Sequence, residues 1–583
     1  MMKRTHTNGE LRIENVGDTV VLKGWVAKKR DLGKLTFIDL RDRTGITQLA
    51  FNQDSDFKHI IQAIKSEYVL EIEGTVIERS SKNKEIPTGD IEVDVTTLNI
   101  LNTAEQSPML IKDETDALEE IRLKYRYLDL RRPVLQKTFK IRHEAAQATR
   151  EFLNQEGFLE IETPILTKST PEGARDYLVP SRINEGEFFA LPQSPQIFKQ
   201  LLMVGGFEKY YQIAKCFRDE DLRRDRQPEF TQIDIETSFL DQSDIMDISE
   251  RLIKHIMKKV KGAVFNDAFP IMTYKEAVER YGTDKPDTRF GMELVNLTNW
   301  AKNTTFGVFT NNIDKGGIVK GITVKNGQSH YSNKDVDQLT DFVKKFGAKG
   351  LATLKVKEDG LSGGIKKFFT EEQQVTLIDR MDAENGDLIL MVSDSRAVVH
   401  QSLDQLRRHI AKDLVLYDND TYDFLWVVDW PMFEYRADVD KFFSLHHPFT
   451  MVQEDYLDSL KDDPENALAY AYDLVVQGQE LGGGSIRIHK ESVQETVFDV
   501  LGISQAEARK KFGFLLDALK YGTPPHGGIA FGFDRLVMIL AGTDNIRDVV
   551  AFPKTNSAQC LLTKAPSVID PSLLKDLHIK TLK

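Results

Sequence analysis

Near the start of the chain, five stretches alternate apolar and polar residues: Thr19–Ala27, Leu35–Asp42, Ile46–Phe51, Tyr68–Val76 and Ile91–Val95. A period of two buries one face of a strand and leaves the other in water. One helical stretch, Phe57–Ser66, falls between the third and the fourth. Five short strands with one helix in that place predict a small Greek-key barrel of the OB type over residues 1–104. The stretch from Ala104 to Pro133 is charged and loses the alternation. It reads as a hinge, 105–135, although Tyr125–Arg132 is not linker-like in composition.

The period then changes. Ile141, Ala145, Ala148 and Phe152 recur at helical spacing as one apolar stripe, and Gly157 stops it. Strand patterns follow at Leu159–Glu162, Glu187–Leu191, Tyr210–Ala214 and Phe230–Ser238, the last with acids at every second position, Asp234 and Glu236. Antiparallel sheet with helices is the expected class, over 136–288. From 289 to 421 glycines punctuate short strands, and one helix opens at Ser332 with Val336, Leu339, Val343 and Phe346 on its stripe and Gly347 at its end. That segment reads as an insertion of mixed α/β character. The strand texture resumes at Leu425, so 422–583 completes the interrupted domain.

Composition narrows the class. A chain of 583 residues is too long for one core. Its two cysteines, Cys216 and Cys560, neither form a disulfide framework nor show metal spacing, which fits a cytoplasmic setting. No apolar run approaches a membrane span, and the first residues lack the apolar core of a secretory signal. A net charge of −13 argues against an electrostatic grip on nucleic acid by the whole protein. A local basic patch remains, Lys28 to Lys34, which reads as a loop beside Phe37 and Gln48. Cations, an aromatic platform and an amide are the parts of single-strand recognition; a basic surface turn with Phe37 in the core has the same composition.

Two arginine signatures carry the chemistry. In Phe217-Arg218-Asp219-Glu220, followed by Arg223, Arg224, Arg226 and Gln227, a planar cation that cannot deprotonate is set among acids. Arg218 suits a phosphate and a carboxylate together, Glu220 an adenine amino group, and Gln227 a phosphate or ribose; a solvated salt-bridge network would look alike. The second runs from Gly528 to Arg535, strand into helix. A second glycine run, Gly482–Gly484, leads into a strand with Arg487. Glycines permit close backbone approach to a ring or a phosphate. Neither run has P-loop or Rossmann spacing, so a nucleotide site here needs another architecture.

Taken together these residues resemble the three motifs of the class II aminoacyl-tRNA synthetases: Gly157–Pro164, Phe217–Asp234 and Gly528–Arg535. Thr170–Tyr177, Pro192–Lys199, His446–Phe449, Glu480–Arg487 and Tyr521–His526 resemble the bacterial-type aspartyl-tRNA synthetases more closely, over nearly the whole chain. The resemblance implies activation of L-aspartate by ATP with Mg2+, then transfer to tRNA(Asp), in a homodimer built through the first motif. Arg218 and Arg535 would be catalytic, holding the α- and γ-phosphates. Asp219, Glu220, Gln227, Phe230, Glu480 and Gly532, Phe533 and Asp534 would complete the ATP site, the adenine lying between Phe230 and Arg535. Asp473 and Glu480 would hold Mg2+. Glu172, Ser194, Gln196, Lys199, Arg218, Asp234, His446, His447 and Arg487 would bind aspartate, with Arg487 and Lys199 on its side chain. Rejecting asparagine would then follow from stranding a buried cation, at about 3–5 kcal/mol. His526 stands between a site role and a structural hydrogen bond. Arg30, Leu32, Phe37 and Gln48 match anticodon-reading positions, and Leu32 resembles the type that charges only tRNA(Asp). The alternatives are an asparaginyl- or lysyl-tRNA synthetase, and an OB-fold single-strand binder with a degenerate catalytic domain. Intact Arg218, Glu480, Arg487 and Arg535 speak against the second.

Overall fold

The computed structural model describes residues 2–33, 35–52, 57–170 and 173–582. Lys34 of the basic patch and Glu172 of the aspartate set lie outside the described residues. The chain packs as two compact units: Met1–His143 with Leu222–Gln227 and Asn545–Ile569, and Glu144–Asp221 with Pro228–Asp544 and Asp570–Lys583.

The first unit holds a closed barrel of β1 (Thr19–Leu32), β2 (Leu35–Arg41), β3 (Ile46–Asn52), β4 (Val69–Glu78) and β5 (Ile91–Asn102), in the order β1-β2-β3-β5-β4. The predicted alternation builds its core: Val20, Leu22, Ile38, Leu40, Ile72 and Val93 are fully buried. The basic patch differs from expectation. Lys28 to Leu32 continue β1 as a strand, paired with β2 out to Leu32 opposite Leu35. A bulge between Val26 and Lys28 shifts the alternation there, which is why a strand reads as a loop.

The segment after the barrel carries two short helices, Glu119–Lys124 and Arg126–Asp129. Arg126 is buried and donates to the carbonyls of Arg547 (2.6 Å), Ala551 (2.9 Å) and Val550 (3.0 Å). Asp129, also buried, gathers Arg122, Arg126 and Arg132. Buried charges need such partners, and this accounts for a composition unlike a linker's.

The second unit is built on an eight-stranded sheet. Its spatial order is Ile271–Thr273, Phe424–Pro431, Leu468–Val476, Gln479–Ile486, His526–Gly532, Glu229–Ser238, Lys209–Phe217 and Leu159–Glu160. The inner pairs are antiparallel and the two outermost are parallel. The Gln242–Lys261 helix, opened by an Asp241 capping box, buries Ile245, Leu252 and Ile256. The glycine run at 482–484 does not lead into a strand: it is the middle of one. Between Val295 and Asp394 the chain forms a separate five-stranded antiparallel sheet, with apolar clusters around Leu390 and around Ile389. The helix at Ser332 is present as Asn333–Lys344, capped by the Ser332 hydroxyl. A further helix, Arg396–Asp413, follows the last strand of that sheet. Among the described residues no helix is long and apolar enough to cross a membrane.

Candidate active site

Cross-strand register sets the floor of the site. One row runs Asp473, Gly483, Ala530, Asp234 across four neighbouring strands; the next but one runs Ala471, Ser485, Gly528, Glu236. Residues two apart on a strand share a face, so the three acids of these rows, Asp473, Asp234 and Glu236, rise from one surface with Ser485. Between Asp473 and Asp234, about 14 Å apart at normal strand spacing, only a glycine and an alanine intervene. The glycines make room for carboxylates. A Cβ on Gly483 would lie 2.6 Å from Asp473 Oδ1, and one on Gly528 would lie 2.1 Å from Glu236 Oε2.

At one end of this floor four charges form a closed cluster. Lys199 Nζ lies 2.7 Å from Asp234 Oδ1 and 3.1 Å from Glu236 Oε2. Arg487 donates from Nε to Glu236 (3.0 Å) and from a terminal nitrogen to Ser485 Oγ (2.7 Å). All four are buried. Burial pushes the Asp234 carboxyl up, against the pull of Lys199. Burial would also raise Glu236, but Arg487 and Lys199 outweigh it and hold the group below the usual carboxylate range. Asp234 Oδ2 and Gln196 Nε2 are buried with no hydrogen-bond partner. Lys199 and Arg487 are therefore not waiting cations, as expected for a substrate carboxylate: each already faces an acid, because a buried cation must be matched. Glu236 and Ser485 were missed as site residues. The signal for Glu236 was its place two residues after Asp234.

At the other end, Arg218 leaves the Lys209–Phe217 strand with its guanidinium 5.0 Å above the Phe230 ring. Its Nε is buried without a hydrogen-bond partner. One face of Phe230 is thus occupied by Arg218. Arg535 donates to the Glu480 carbonyl. Glu480 pairs with Lys285 at 3.0 Å; Lys285 and Arg535 outweigh burial and keep its carboxyl low. Asp473 behaves oppositely: burial and the adjacent Glu480 push it well above the usual range, and its Oδ1 has no hydrogen-bond partner. Asp219 sits beside Arg175, its N–H donating to the Arg175 carbonyl (3.0 Å), and Glu220 is half-buried in the same loop.

Other expected residues are engaged elsewhere. The Gln227 amide donates to the Lys554 carbonyl (3.0 Å) and accepts from the Lys554 N–H (2.7 Å). Asp534 is buried and accepts from the Thr231 N–H at 2.7 Å, and the Phe533 ring is in the core. Their backbone with Gly532 opens the Phe533–Ala541 helix. The Ser194 hydroxyl accepts from the Gln196 N–H at 3.3 Å. His446 approaches Asp473 at 3.5 Å and meets the Trp430 edge; His447 Nδ1 accepts from the Phe449 N–H. Burial lowers their pKa values to about 4 and about 3, so both are neutral at pH 7. His526 Nδ1 bonds the Pro524 carbonyl (2.8 Å), its Nε2 is buried without a hydrogen-bond partner, and its own carbonyl accepts from the Arg487 N–H.

On the barrel, Phe37 is half-exposed and outside the core, its Cα opposite Arg30 on β1. Arg30 lies 2.6 Å from Asp39 and 2.9 Å from Gln48 Oε1, and Gln48 Nε2 reaches Glu92. Leu32 is two-thirds exposed, at 67%.

Residues 118–556 match the class II tRNA synthetases (D, K and N), and residues 20–101 match the OB-fold nucleic acid binding domain. The chain is 58% identical over 584 aligned residues to a Bacillus cereus protein named aspartate–tRNA(Asp/Asn) ligase, an alignment that covers all of this chain and 99% of that one. A Bacillus thuringiensis protein of the same name matches to the same extent. Among solved structures, the asparaginyl-tRNA synthetase from Pyrococcus horikoshii complexed with asparaginyl-adenylate is similar, with a TM-score of 0.58 at 19% identity, over 95% of this chain and 99% of that one. The aspartyl tRNA synthetase from Entamoeba histolytica has a TM-score of 0.57 at 21% identity, over 94% and 91%. At such identities the structural likeness is one of fold. The family match over three quarters of the chain and the full-length identity to the Bacillus proteins agree: this chain belongs to the class II tRNA synthetases of the aspartate, lysine and asparagine group.

Proposed function

We propose that the chain activates L-aspartate with ATP and transfers it to the 3′ end of tRNA(Asp). The observation that carries this reading is the buried cluster of Lys199, Asp234, Glu236 and Arg487. Two cations and two acids cancel. Apart from the α-carboxylate, which goes to the α-phosphorus, aspartate brings an ammonium and a side-chain carboxylate, so the balance survives its entry; Asp234 Oδ2 offers an acceptor for the ammonium. Asparagine would bring the ammonium without the anion and leave one buried positive charge unmatched, a penalty of about 3–5 kcal/mol. The full-length relatives named for aspartate support the same substrate.

In the first step the α-carboxylate of aspartate attacks the α-phosphorus of ATP, the bond to the β-phosphate oxygen breaks, and pyrophosphate leaves. In the second, a terminal ribose hydroxyl of the tRNA attacks the activated carbonyl and AMP leaves. No protein nucleophile is needed. Arg218 and Arg535 bind and orient the phosphates and hold charge that develops on them. Asp473 and Glu480 suit a hard divalent cation, since both offer oxygens and Asp473 Oδ1 is buried without a hydrogen-bond partner. Bound there, Mg2+ would neutralise phosphate charge. Among the described residues no third His, Cys, Asp or Glu completes a cluster, so the nucleotide would supply the remaining ligands.

In this reading residues 1–104 bind the anticodon, 105–135 join them to a catalytic domain of 136–288 and 422–583, and 289–421 are inserted. The first-motif edge, with Leu159, Ile165 and Leu166 exposed, would form a homodimer in the cytoplasm. A second reading is favoured by the relatives' name, which includes tRNA(Asn) where Leu32 resembles the aspartate-only type. Pyrophosphate exchange with aspartate, asparagine and lysine in turn tests the activation step: exchange with aspartate alone is expected, and its absence rejects the reading. Charging of purified tRNA(Asp) and tRNA(Asn) then separates the two.

A further inference from the structure

The inserted residues contribute nothing to the site as described, yet their last helix touches both backbone segments that hold one of its ion pairs. Arg408, on the Arg396–Asp413 helix, uses every guanidinium nitrogen. Nε donates to Asp404 Oδ1 (2.7 Å), one terminal nitrogen to the Lys285 carbonyl (2.6 Å) and the other to the Gly478 carbonyl (2.8 Å). Lys285 is the residue whose ammonium meets Glu480 at 3.0 Å, and Gly478 lies two residues before Glu480. One fork thus grips the backbone behind the cation and the backbone behind the carboxylate.

The turn is shaped for this grip. Gln477 and Gly478, between the Leu468–Val476 and Gln479–Ile486 strands, both have positive φ, 51° and 72°. A Cβ on Gly478 would lie 2.5 Å from a terminal nitrogen of Arg408 and 3.0 Å from Cζ. The preceding residue, Arg407, is fully buried and donates to the carbonyls of Asp287 (2.9 Å), Gly291 (2.5 Å) and Met292 (3.2 Å). Two consecutive arginines therefore fix the backbone at 285–287, just before the insertion, and at 291–292 within it.

The Lys285–Glu480 pair needs such support. Its side chains are 39% and 36% exposed, and a pair that open to water holds itself in place only weakly. A planar fork with three fixed donors is the stiffer element. We propose that Arg408 is a positioning residue for ATP: it fixes the Lys285–Glu480 pair, and with it the carboxylate that faces the nucleotide and its metal. The inserted segment thereby sets the geometry of the ATP site. This rests on the role given to Glu480 above.

The test compares Arg408→Gln with the unchanged full chain. The KM for ATP in aspartate-dependent pyrophosphate exchange, and the Mg2+ concentration for half-maximal rate, should rise about tenfold or more, as when a group that orients a metal ligand is lost. The KM for aspartate should not move. ATP affinity by calorimetry in Mg2+ should fall by the same factor. Hydrogen exchange without ligand should quicken in 283–287 and 477–481 and stay unchanged in the insertion's strands at 318–324 and 388–394. Unchanged ATP affinity, or exchange that quickens throughout the insertion, overturns the proposal and leaves Arg408 a staple of the inserted fold. Should that variant not fold, Arg408→Lys keeps the charge, lacks the fork and carries the same expectation. If the unchanged chain shows no aspartate-dependent exchange, the functional reading fails instead, which the variant comparison does not confuse with the failure of Arg408.

Discussion

Lys199, Asp234, Glu236 and Arg487 act as a set, and their chemistry follows from counting charge. Replacing Arg487 by leucine leaves two buried acids facing one lysine. Breaking a buried pair from one side costs about 3–5 kcal/mol, mostly for the charge left behind. Arg487→Leu should therefore lose aspartate-dependent exchange, keep ATP binding, and melt at a lower temperature. Adding Glu236→Gln restores a balance of one cation and one acid. The double variant should regain most of the melting temperature and none of the exchange; a double variant no more stable than the single one rejects the balance argument. The sequence exposed three of these four residues by type and by resemblance. It did not expose the pairing, because Arg487 and Glu236 are 251 positions apart and meet only through the register of strands. Gln227 and Asp534 show the same limit: only the fold reveals the backbone that each bonds far along the chain, at Lys554 and at Thr231.

The element that most constrains the site is the Gln479–Ile486 strand, three glycines long at its centre. Glycine is a poor strand former, so pattern reading placed the run before a strand rather than in it. Contacts across the sheet explain its presence. A Cβ on Gly484 would lie 2.1 Å from the Gly528 carbonyl oxygen and 2.8 Å from the Tyr472 ring. Neither can retreat, since Tyr472 is buried and its hydroxyl donates to that same carbonyl. Gly484→Ala should separate the strands and cost about 4 kcal/mol or more, in the range reserved for core disruption. Gly350→Ala, where nothing lies within 4 Å, is the control and should stay within about 0.5 kcal/mol. Thermal melting of both checks this, and equal melting temperatures reject it. Other elements were more legible. The Ser332 cap and its stripe gave the Asn333–Lys344 helix directly. The Arg396–Asp413 helix carries a stripe as plain, Val399, Leu403, Leu406 and Ile410, all buried. The charged end of β1 stayed hidden because its bulge breaks the period on which strand reading depends.

At the scale of the molecule, the barrel has its own closed core, and the residues proposed to bind ATP and aspartate belong to other parts of the chain. The proposed labour divides accordingly, with Phe37 as its test. The residue could have been core or platform by sequence alone. Its ring is half-exposed beside Arg30, while Ile38 and Leu40 on the same strand fill the core. Removing the ring should not unseat the barrel. Stacking of an unpaired base on an aromatic side chain contributes about 1–3 kcal/mol. Phe37→Ala should therefore raise the KM for tRNA in aminoacylation by about tenfold to a hundredfold, and leave aspartate-dependent pyrophosphate exchange and the melting temperature unchanged. The three readouts separate the possibilities. Loss of exchange with loss of melting temperature would mean that the ring supports the fold. No change in any of them would mean that this face of the barrel does not meet the tRNA. Only a change confined to the tRNA step agrees with a barrel that reads one end of the substrate while the sheet activates the amino acid for the other.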